Sequence, residues 1–515
     1  MSATGASVTR VEAPIEDKRV WWGAVATLTL IAFGLRIYGA GESPAGDELT
    51  MYTLVHNRGF GSMMSLVVDQ EKTPPLGFAL AWLTSRIGAA DTWMRAPEVL
   101  AGTALVPLAA TFGRRAASRP AGLVAAGLIA VSPFLVFYGV EARSYSLTAA
   151  FTCASLLLLL VATERERQTP GVWAAWTVAV LAALMSHYTS FFVIFASVVW
   201  TLLARPATRK YILGATAATA LLMLPWLPSF LTQLGHSADE ARRVAFLAPL
   251  GADSVWQVVS RSLVGHPLWS GIGSVGLTDV PGPLGLALIL TGLGIGLVGA
   301  VIRLASGERG QRLSRPDSLT ILLLLTAVAA PVGLIIGSLR PHHSMLLPRN
   351  AITSLPSVAV LAGILLTRLP KPASITAVIL VWAGLLLGSV IELRDFARPN
   401  LRGAAHAVEA RWQKGDALLE AIYFNGPPTD LSIHLNPEQR QALQLTREVG
   451  LKPFEQAVWV GQTVFTITPV VGKLTGSSLG PPPGLRANFR PVWTHTWKGM
   501  LDVNATEWQP RKATK

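Results

Sequence analysis

Eleven stretches of this chain are apolar enough to cross a bilayer, at roughly 20–38, 96–113, 120–138, 144–162, 171–186, 188–204, 210–227, 281–302, 318–337, 351–367 and 373–391. A hydrocarbon core of about 30 Å takes about 20 apolar residues as helix. Lipid offers the backbone no hydrogen-bond partner, so only helices and closed barrels pass through it. With 51% hydrophobic and 14% charged residues over 515 positions, the chain lies far from a soluble domain, where about 25% are charged. The expected fold class is an α-helical polytopic membrane protein.

A twelfth stretch, 74–90, carries about 15 apolar residues before Asp91 and would reach only ~23 Å as helix. The basic residues decide its place, because cytoplasmic loops collect Lys and Arg. Arg114, Arg115 and Arg119, Arg165 and Arg167, Arg205, Arg209 and Lys210, Arg303, Arg309, Arg312 and Arg315, and Arg368 and Lys371 share one side with Arg10, Lys18 and Arg19 only if 74–90 does not cross. It is therefore expected as a re-entrant or in-plane helix on the outer side, opened by Pro74-Pro75, where a missing N–H is tolerated. Residues 1–19, without a small-residue cleavage site, are expected as a cytoplasmic tail before an uncleaved span. The C-terminus then lies outside, in a multi-pass protein of the cell's plasma or inner membrane.

The net charge of +13 falls in these connectors and not on one domain face, so it signals topology and not nucleic acid. Cys153 is the only cysteine, which excludes a disulfide framework and a thiolate metal cluster. The cytoplasmic connectors hold no Gly-rich phosphate loop, so the chemistry is expected outside and without direct use of ATP.

The outer face collects the ionisable residues. The first outer loop, 39–95, carries Gly46-Asp47-Glu48 and Glu71-Lys72-Thr73-Pro74-Pro75. Carboxylates beside a membrane core carry desolvation costs and mark a functional site by default. Tyr138-Gly139-Val140-Glu141-Ala142-Arg143-Ser144-Tyr145 turns between two spans, Ser186-His187-Tyr188-Thr189 turns between two more, and Arg340-Pro341-His342-His343 and Pro348-Arg349-Asn350 precede another. Arg143 and Arg349 can hold phosphate oxygens through a planar fork, and Lys72 as a point charge. Glu71 beside Lys72 could equally form a plain ion pair.

Two further outer parts are expected. The long loop 228–280, with Trp256, Trp269, Arg242, Arg243 and Arg261, suits amphipathic helices along the interface. Residues 392–515 suit a small α/β domain, with a helix over 402–413, a turn at Gly415-Asp416, strands over 417–424 and 458–470, and a linker at Pro481-Pro482-Pro483. Trp21-Trp22 reads as an interfacial aromatic belt, and Gly292 with Gly296 as close helix packing. Asn504-Ala505-Thr506 matches a glycosylation sequon that arises readily by chance.

The order Asp-Glu, then Glu-Lys-x-Pro-Pro-Leu, then Tyr-x-x-Glu-Ala-Arg-x-Tyr, then His-Tyr, then Pro-Arg resembles the GT-C membrane glycosyltransferases over about residues 20–400. The nearest branch is that of the protein O-mannosyltransferases and lipid A aminoarabinose transferases. The resemblance implies a GT-C catalytic domain over 20–391. It also implies transfer of a sugar, hexosyl or pentosyl, from a polyprenyl-phosphate donor to an envelope glycan, lipid or protein on the outer side. Asp47 matches the family's first-loop acid and is expected as the base that takes the acceptor proton, with Glu48 as its orienting partner or a metal contact. Lys72, Arg143 and Arg349 are expected on the donor phosphate, and Glu71, Tyr138, Glu141, Tyr145, His187 and Tyr188 around the substrate. Glu71 and His187 match positions able in some relatives to contact a divalent metal ion, while other relatives are regarded as metal-independent. One displacement at C1 implies inversion. Asn350 stands where the family commonly has an aromatic residue, and the Trp-Trp-Asp-Tyr-Gly motif of oligosaccharyltransferases is missing from the C-terminal part. The competing class, a transporter or flippase of lipid-linked sugars, commonly shows two repeats, and no internal repeat is visible here.

Overall fold

A computed structural model describes residues 17–164, 168–235, 250–266, 275–305, 317–339, 345–420, 431–449, 463–470, 483–500 and 502–511. Eight helices are long and apolar enough to cross a membrane, among them Lys18–Ala40, Ala90–Ala116, Tyr145–Thr163 and Lys371–Asp395, and three shorter apolar helices, Arg119–Val131, Pro170–Ser186 and Ser190–Ala204, stand with them. Each of the eleven apolar stretches thus corresponds to helix, and the chain is a multi-pass membrane protein.

Local chemistry explains where helices break. The stretch 120–138 is not one helix: Arg119–Val131 ends, Ser132 turns extended, and Pro133 opens a short helix whose Leu135 N–H donates to Ser132 Oγ at 3.4 Å. Pro133 has no N–H to give the Ile129 carbonyl, so an interior bond is lost there. Arg36, wholly buried in the first helix, supplies donors instead, to Ile129 O at 3.5 Å and Leu135 O at 3.1 Å. The Trp pair also divides. Trp21 is buried, donates to Arg119 O at 3.3 Å and lies under Arg114, whereas Trp22 is 47% exposed. A buried Trp21 is a core residue and not a belt residue, and its contacts put the start of the first helix at the same end of the bundle as the 114–119 connector.

The first outer loop is more helical than expected, with helices Asp47–Val55, Phe60–Gln70 and Leu76–Thr84. The last has nine residues, or about 14 Å, too short to span. It packs close because position 77 is glycine: a Cβ there would lie 1.8 Å from Ser144 Oγ. Gly292 likewise lets Gly282–Ala305 meet Lys371–Asp395, since a Cβ would lie 2.7 Å from Ala377 O. Of the long loop 228–280, Leu227–Gly235 and Ala252–Leu263 are helical, the latter showing Val255, Trp256, Val259 and Leu263 outward. Arg242, Arg243, Trp269 and the Arg340-to-His343 run lie outside the described residues.

The C-terminal part forms a four-stranded sheet, β1 Ala417–Glu420, β2 Val464–Val470, β3 Phe489–Trp497 and β4 Asp502–Pro510, in the order β1-β2-β4-β3. β1 runs parallel to β2, and β4 antiparallel to both neighbours. Helix Leu401–Glu409 lays Leu401, Ala404, Ala405 and Val408 against Phe465, Ile467, Val503 and Ala505. Residues 421–430 and Pro481-Pro482 lie outside the described residues, and Pro483 opens a short helix, Pro483–Asn488. The β3–β4 hairpin was not anticipated. Pro491 stands in β3 beside a register shift, a place proline tolerates on an edge strand.

Gly77→Ala should destabilise the protein by about 1–3 kcal/mol, the range for an overpacked contact. Thermal unfolding of the purified protein checks this, and an unchanged midpoint would show that the two turns can part at no cost.

Candidate active site

The site starts with a bend. Gly46 has φ +57°, a left-handed value that glycine adopts freely, and it turns the chain out of the first span into helix Asp47–Val55. Asp47 and Glu48 form the first turn, where negative charge suits the helix dipole. Successive helical residues point about 100° apart, so the two carboxylates face different surroundings.

Asp47 faces the open side, 32% of its side chain exposed, and accepts from Arg349 Nη1 at 2.8 Å. Arg143 Nε stands 4.0 Å from the same oxygen, and Arg143 Nη1 donates to Glu71 Oε1 at 3.0 Å. The order Arg349, Asp47, Arg143, Glu71 alternates in sign across four segments of the chain. Burial pushes the Asp47 pKa up, but Arg349 and Arg143 outweigh it and hold it below the ordinary value. Burial acts against Arg143, yet Glu71 and Asp47 raise its pKa further. Lys72 follows Glu71 and is half-buried in the turn before Leu76–Thr84.

Aromatic rings back this row. Tyr138 and Tyr145 are buried edge to face at 4.8 Å, Tyr145 lies 5.6 Å from the His187 ring, and the Arg349 guanidinium stands 5.9 Å from the Tyr145 centroid. Burial, then Arg349 and Arg143, push His187 down to about 4, so its ring is neutral. His187 Nδ1 accepts from the Thr189 amide at 3.3 Å, leaving Nε2 to carry the hydrogen. Both His187 and Tyr188 sit in the turn before helix Ser190–Ala204. Tyr188 OH donates to Gln233 Oε1 at 2.8 Å, and Gln233 Nε2 donates to Val67 O and Thr73 O at 3.2 Å, fastening Leu227–Gly235 to the first outer loop.

Glu48 differs from the expectation of a partner at the reaction centre. It has no exposed surface and is gripped from several directions. Arg95 donates through Nε at 2.7 Å and Nη2 at 2.5 Å, the Ala142 amide donates at 3.1 Å, and Arg398 Nε stands 3.2 Å away. Burial opposes ionisation, but Arg95 and Arg398 prevail and the pKa is lowered. With both oxygens engaged inside the protein, Glu48 holds the loop from below. Glu141 is buried as well and accepts from Arg398 Nη2 at 2.5 Å. Burial, then the charge of Glu48, push it up to about 7.

Glu71 and His187, the expected metal ligands, are engaged elsewhere. Among the described residues no three His, Cys, Asp or Glu side chains come together as a metal site. Glu71 is turned to Arg143, and His187 Nδ1 is taken by Thr189.

Sequence reasoning missed Arg95, Glu98 and Arg398. Glu98 accepts from the Ser146 and Leu147 amides at 2.9 and 3.1 Å, capping helix Tyr145–Thr163 from a neighbouring span. A carboxylate inside an apolar run was a usable signal. Arg398 had none, because its partner Glu141 lies 257 positions earlier.

Residues 72–249 match the family described as dolichyl-phosphate-mannose-protein mannosyltransferase. Two structures of ArnT from Cupriavidus metallidurans, in the apo state and bound to undecaprenyl phosphate, each superpose at a TM-score of 0.52 with 11% identity, covering 95% of this chain and 98% of theirs. The apo oligosaccharyltransferase of Archaeoglobus fulgidus is more distant, at a TM-score of 0.45 and 12% identity, covering 97% of this chain and 75% of its own. No curated protein matches in sequence. The fold is the GT-C fold, and the resemblance to the protein O-mannosyltransferase and aminoarabinose transferase branch is borne out by the family match and by the ArnT fold.

Glu48→Ala should cost about 3–5 kcal/mol, because it takes the paired carboxylate from buried Arg95 and one of three from buried Arg398. The expected result is a large fall in the thermal midpoint of the purified protein; a native midpoint would show that Glu48 does not hold the loop.

Proposed function

We propose that the chain is an inverting glycosyltransferase that moves a sugar from a polyprenyl-phosphate donor to a hydroxyl of an envelope glycan, lipid or protein. The observation that carries this reading is Asp47 held between Arg349 and Arg143 at the open end of the helical bundle. A base thus stands among the cations that suit a phosphate.

The reaction needs few parts. The acceptor oxygen bonds to the sugar C1 as the bond from C1 to phosphate oxygen breaks, with the electron pair leaving on the polyprenyl phosphate. Asp47 takes the hydroxyl proton. Arg143, Arg349 and Lys72 hold the developing phosphate charge. Tyr138, Tyr145, Tyr188 and His187 shape the surroundings, with Glu71 orienting Arg143 and Glu141 paired to Arg398 behind them. Phosphate leaves readily, so no general acid is needed.

Asp47 pairs with the same arginines. An arriving phosphate competes for Arg349 and Arg143, which releases the carboxylate and restores its basicity. The donor thereby switches on the base it requires.

The site lies on the extracytoplasmic face of the plasma or inner membrane in this reading. Residues 20–391 form the catalytic domain, 392–515 an outer domain, and the N-terminus is cytoplasmic. Supporting it, the first helix and the 114–119 connector meet at one end of the bundle through Trp21 and Arg119. Undecaprenyl phosphate is the carrier to test first, as the ligand of the ArnT structure.

Asp47→Asn should lower transfer on the order of 100- to 10,000-fold in vesicles given radiolabelled undecaprenyl-phosphate hexoses and pentoses. It should bind undecaprenyl phosphate at least as tightly as native, since a competing anion is gone; native turnover would remove Asp47 as base. The pH profiles carry a sign. Free Asp47 is held below the ordinary carboxylate value of about 3.9, so it stays ionised as pH falls and kcat/KM for donor is lost only below that value. The acid limb of kcat, which reports the donor complex, should lie higher. Coincident limbs would show that phosphate does not displace Asp47 from its arginines.

A further inference from the structure

Arg398 stands just beyond the last span, Lys371–Asp395, and only 2% of its side chain is exposed. Its guanidinium reaches three carboxylates: Glu42 at 3.1 Å, Glu48 at 3.2 Å and Glu141 at 2.5 Å. Its own amide donates to Glu42 Oε2 at 3.1 Å, and its plane lies 4.1 Å from the Phe137 ring centroid. Two of these partners flank the proposed chemistry in sequence. Glu48 follows Asp47, and Glu141 precedes Arg143 by two positions.

The outer domain is fastened at the same place. Arg402 Nη2 donates to Asp91 at 2.6 Å, the Arg402 amide donates to Ser43 Oγ at 3.0 Å, and the Met500 amide of the β3–β4 turn donates to Ala397 O at 2.8 Å. Arg398 is therefore the point where the outer domain, the first outer loop and the 138–145 turn meet.

We infer that Arg398 is a positioning residue for the transfer reaction, holding the base segment at Asp47 and the phosphate-binding segment at Arg143 at fixed spacing. The inference rests on the function proposed above. A planar fork with five donors fixes the directions of three carboxylates at once, whereas an ammonium meets them as a point charge with three rotatable donors and sets no such geometry. Misplacing a reacting group by an ångström can cost about 100-fold in rate without abolishing binding. Burial together with Glu48 favours a protonated Glu141, and Arg398 opposes it. Removing the guanidinium would leave Glu42, Glu48 and Glu141 facing one another with Arg95 as the nearest cation to Glu48.

The test compares Arg398→Lys with Arg402→Ala in full-length protein, by the vesicle assay and by thermal unfolding. Arg398→Lys should lower kcat tenfold or more with the donor KM within about threefold of native, on the scale expected of misplacement. Arg402→Ala loosens the same domain but touches neither Glu48 nor Glu141, so it should lower the unfolding midpoint and leave the kcat of folded protein near native. Native kcat in Arg398→Lys overturns the inference, as does an equal kcat loss in both variants. If Arg398→Lys does not fold, Glu141→Gln keeps the shape of the clamp with one charge fewer. It should lower kcat several-fold at an unchanged midpoint and donor KM, and native kcat there overturns the inference too. Failure of the parent reading looks different: native protein transfers no sugar, or Asp47→Asn retains full turnover.

Discussion

A carboxylate without access to water, Glu48, organises the outer end of this protein. Two guanidiniums and one backbone amide converge on it from three distant parts of the chain. Each charge is costly to bury alone, by several kcal/mol per ion, and tolerable only when the others are in place. The arrangement is thus cooperative in a strict sense. The turn out of the first span, the start of the span at Ala96, the 138–145 turn and the segment after the last span all meet at this one carboxylate. Everything at the reaction centre hangs from that knot, including the direction in which Asp47 points.

The open row beside it works by a different balance. Arg349, Asp47, Arg143 and Glu71 cancel in pairs, so this row carries little net charge of its own. An anion entering this row exchanges partners with a carboxylate already there. Affinity is then a small difference between two large interactions, which in the proposed reaction would suit a carrier that leaves after each transfer.

Much of the architecture was legible because lipid is a demanding solvent. Long apolar runs have one use, and the charges that flank them stand out against a bland background, which is how Asp47, Arg143 and Arg349 could be found. What stayed hidden are relations between positions. Asp47 and Glu48 look like a pair in sequence, yet a helix turns neighbours about 100° apart, and one ends outside while the other ends in the core. Arg398 resembles any basic residue after a span until the fold brings it to Glu141. The β3–β4 hairpin escaped because Phe489–Trp497 lacks clean alternation and contains Pro491, while Asn504-Ala505-Thr506 reads as a sequon although it sits inside the paired strand β4.

Glu98 closes an option that many phosphate-binding proteins use. The exposed amides at the start of a helix are a ready-made anion cradle, and helix Tyr145–Thr163 begins right behind Arg143. Here the Glu98 carboxylate already fills that cradle from within the bundle. With those amides taken, a head group bound as proposed would meet side chains such as Arg143 and Arg349 rather than the start of this helix. A grip made of separate side chains can be opened one residue at a time without unwinding the helix behind it.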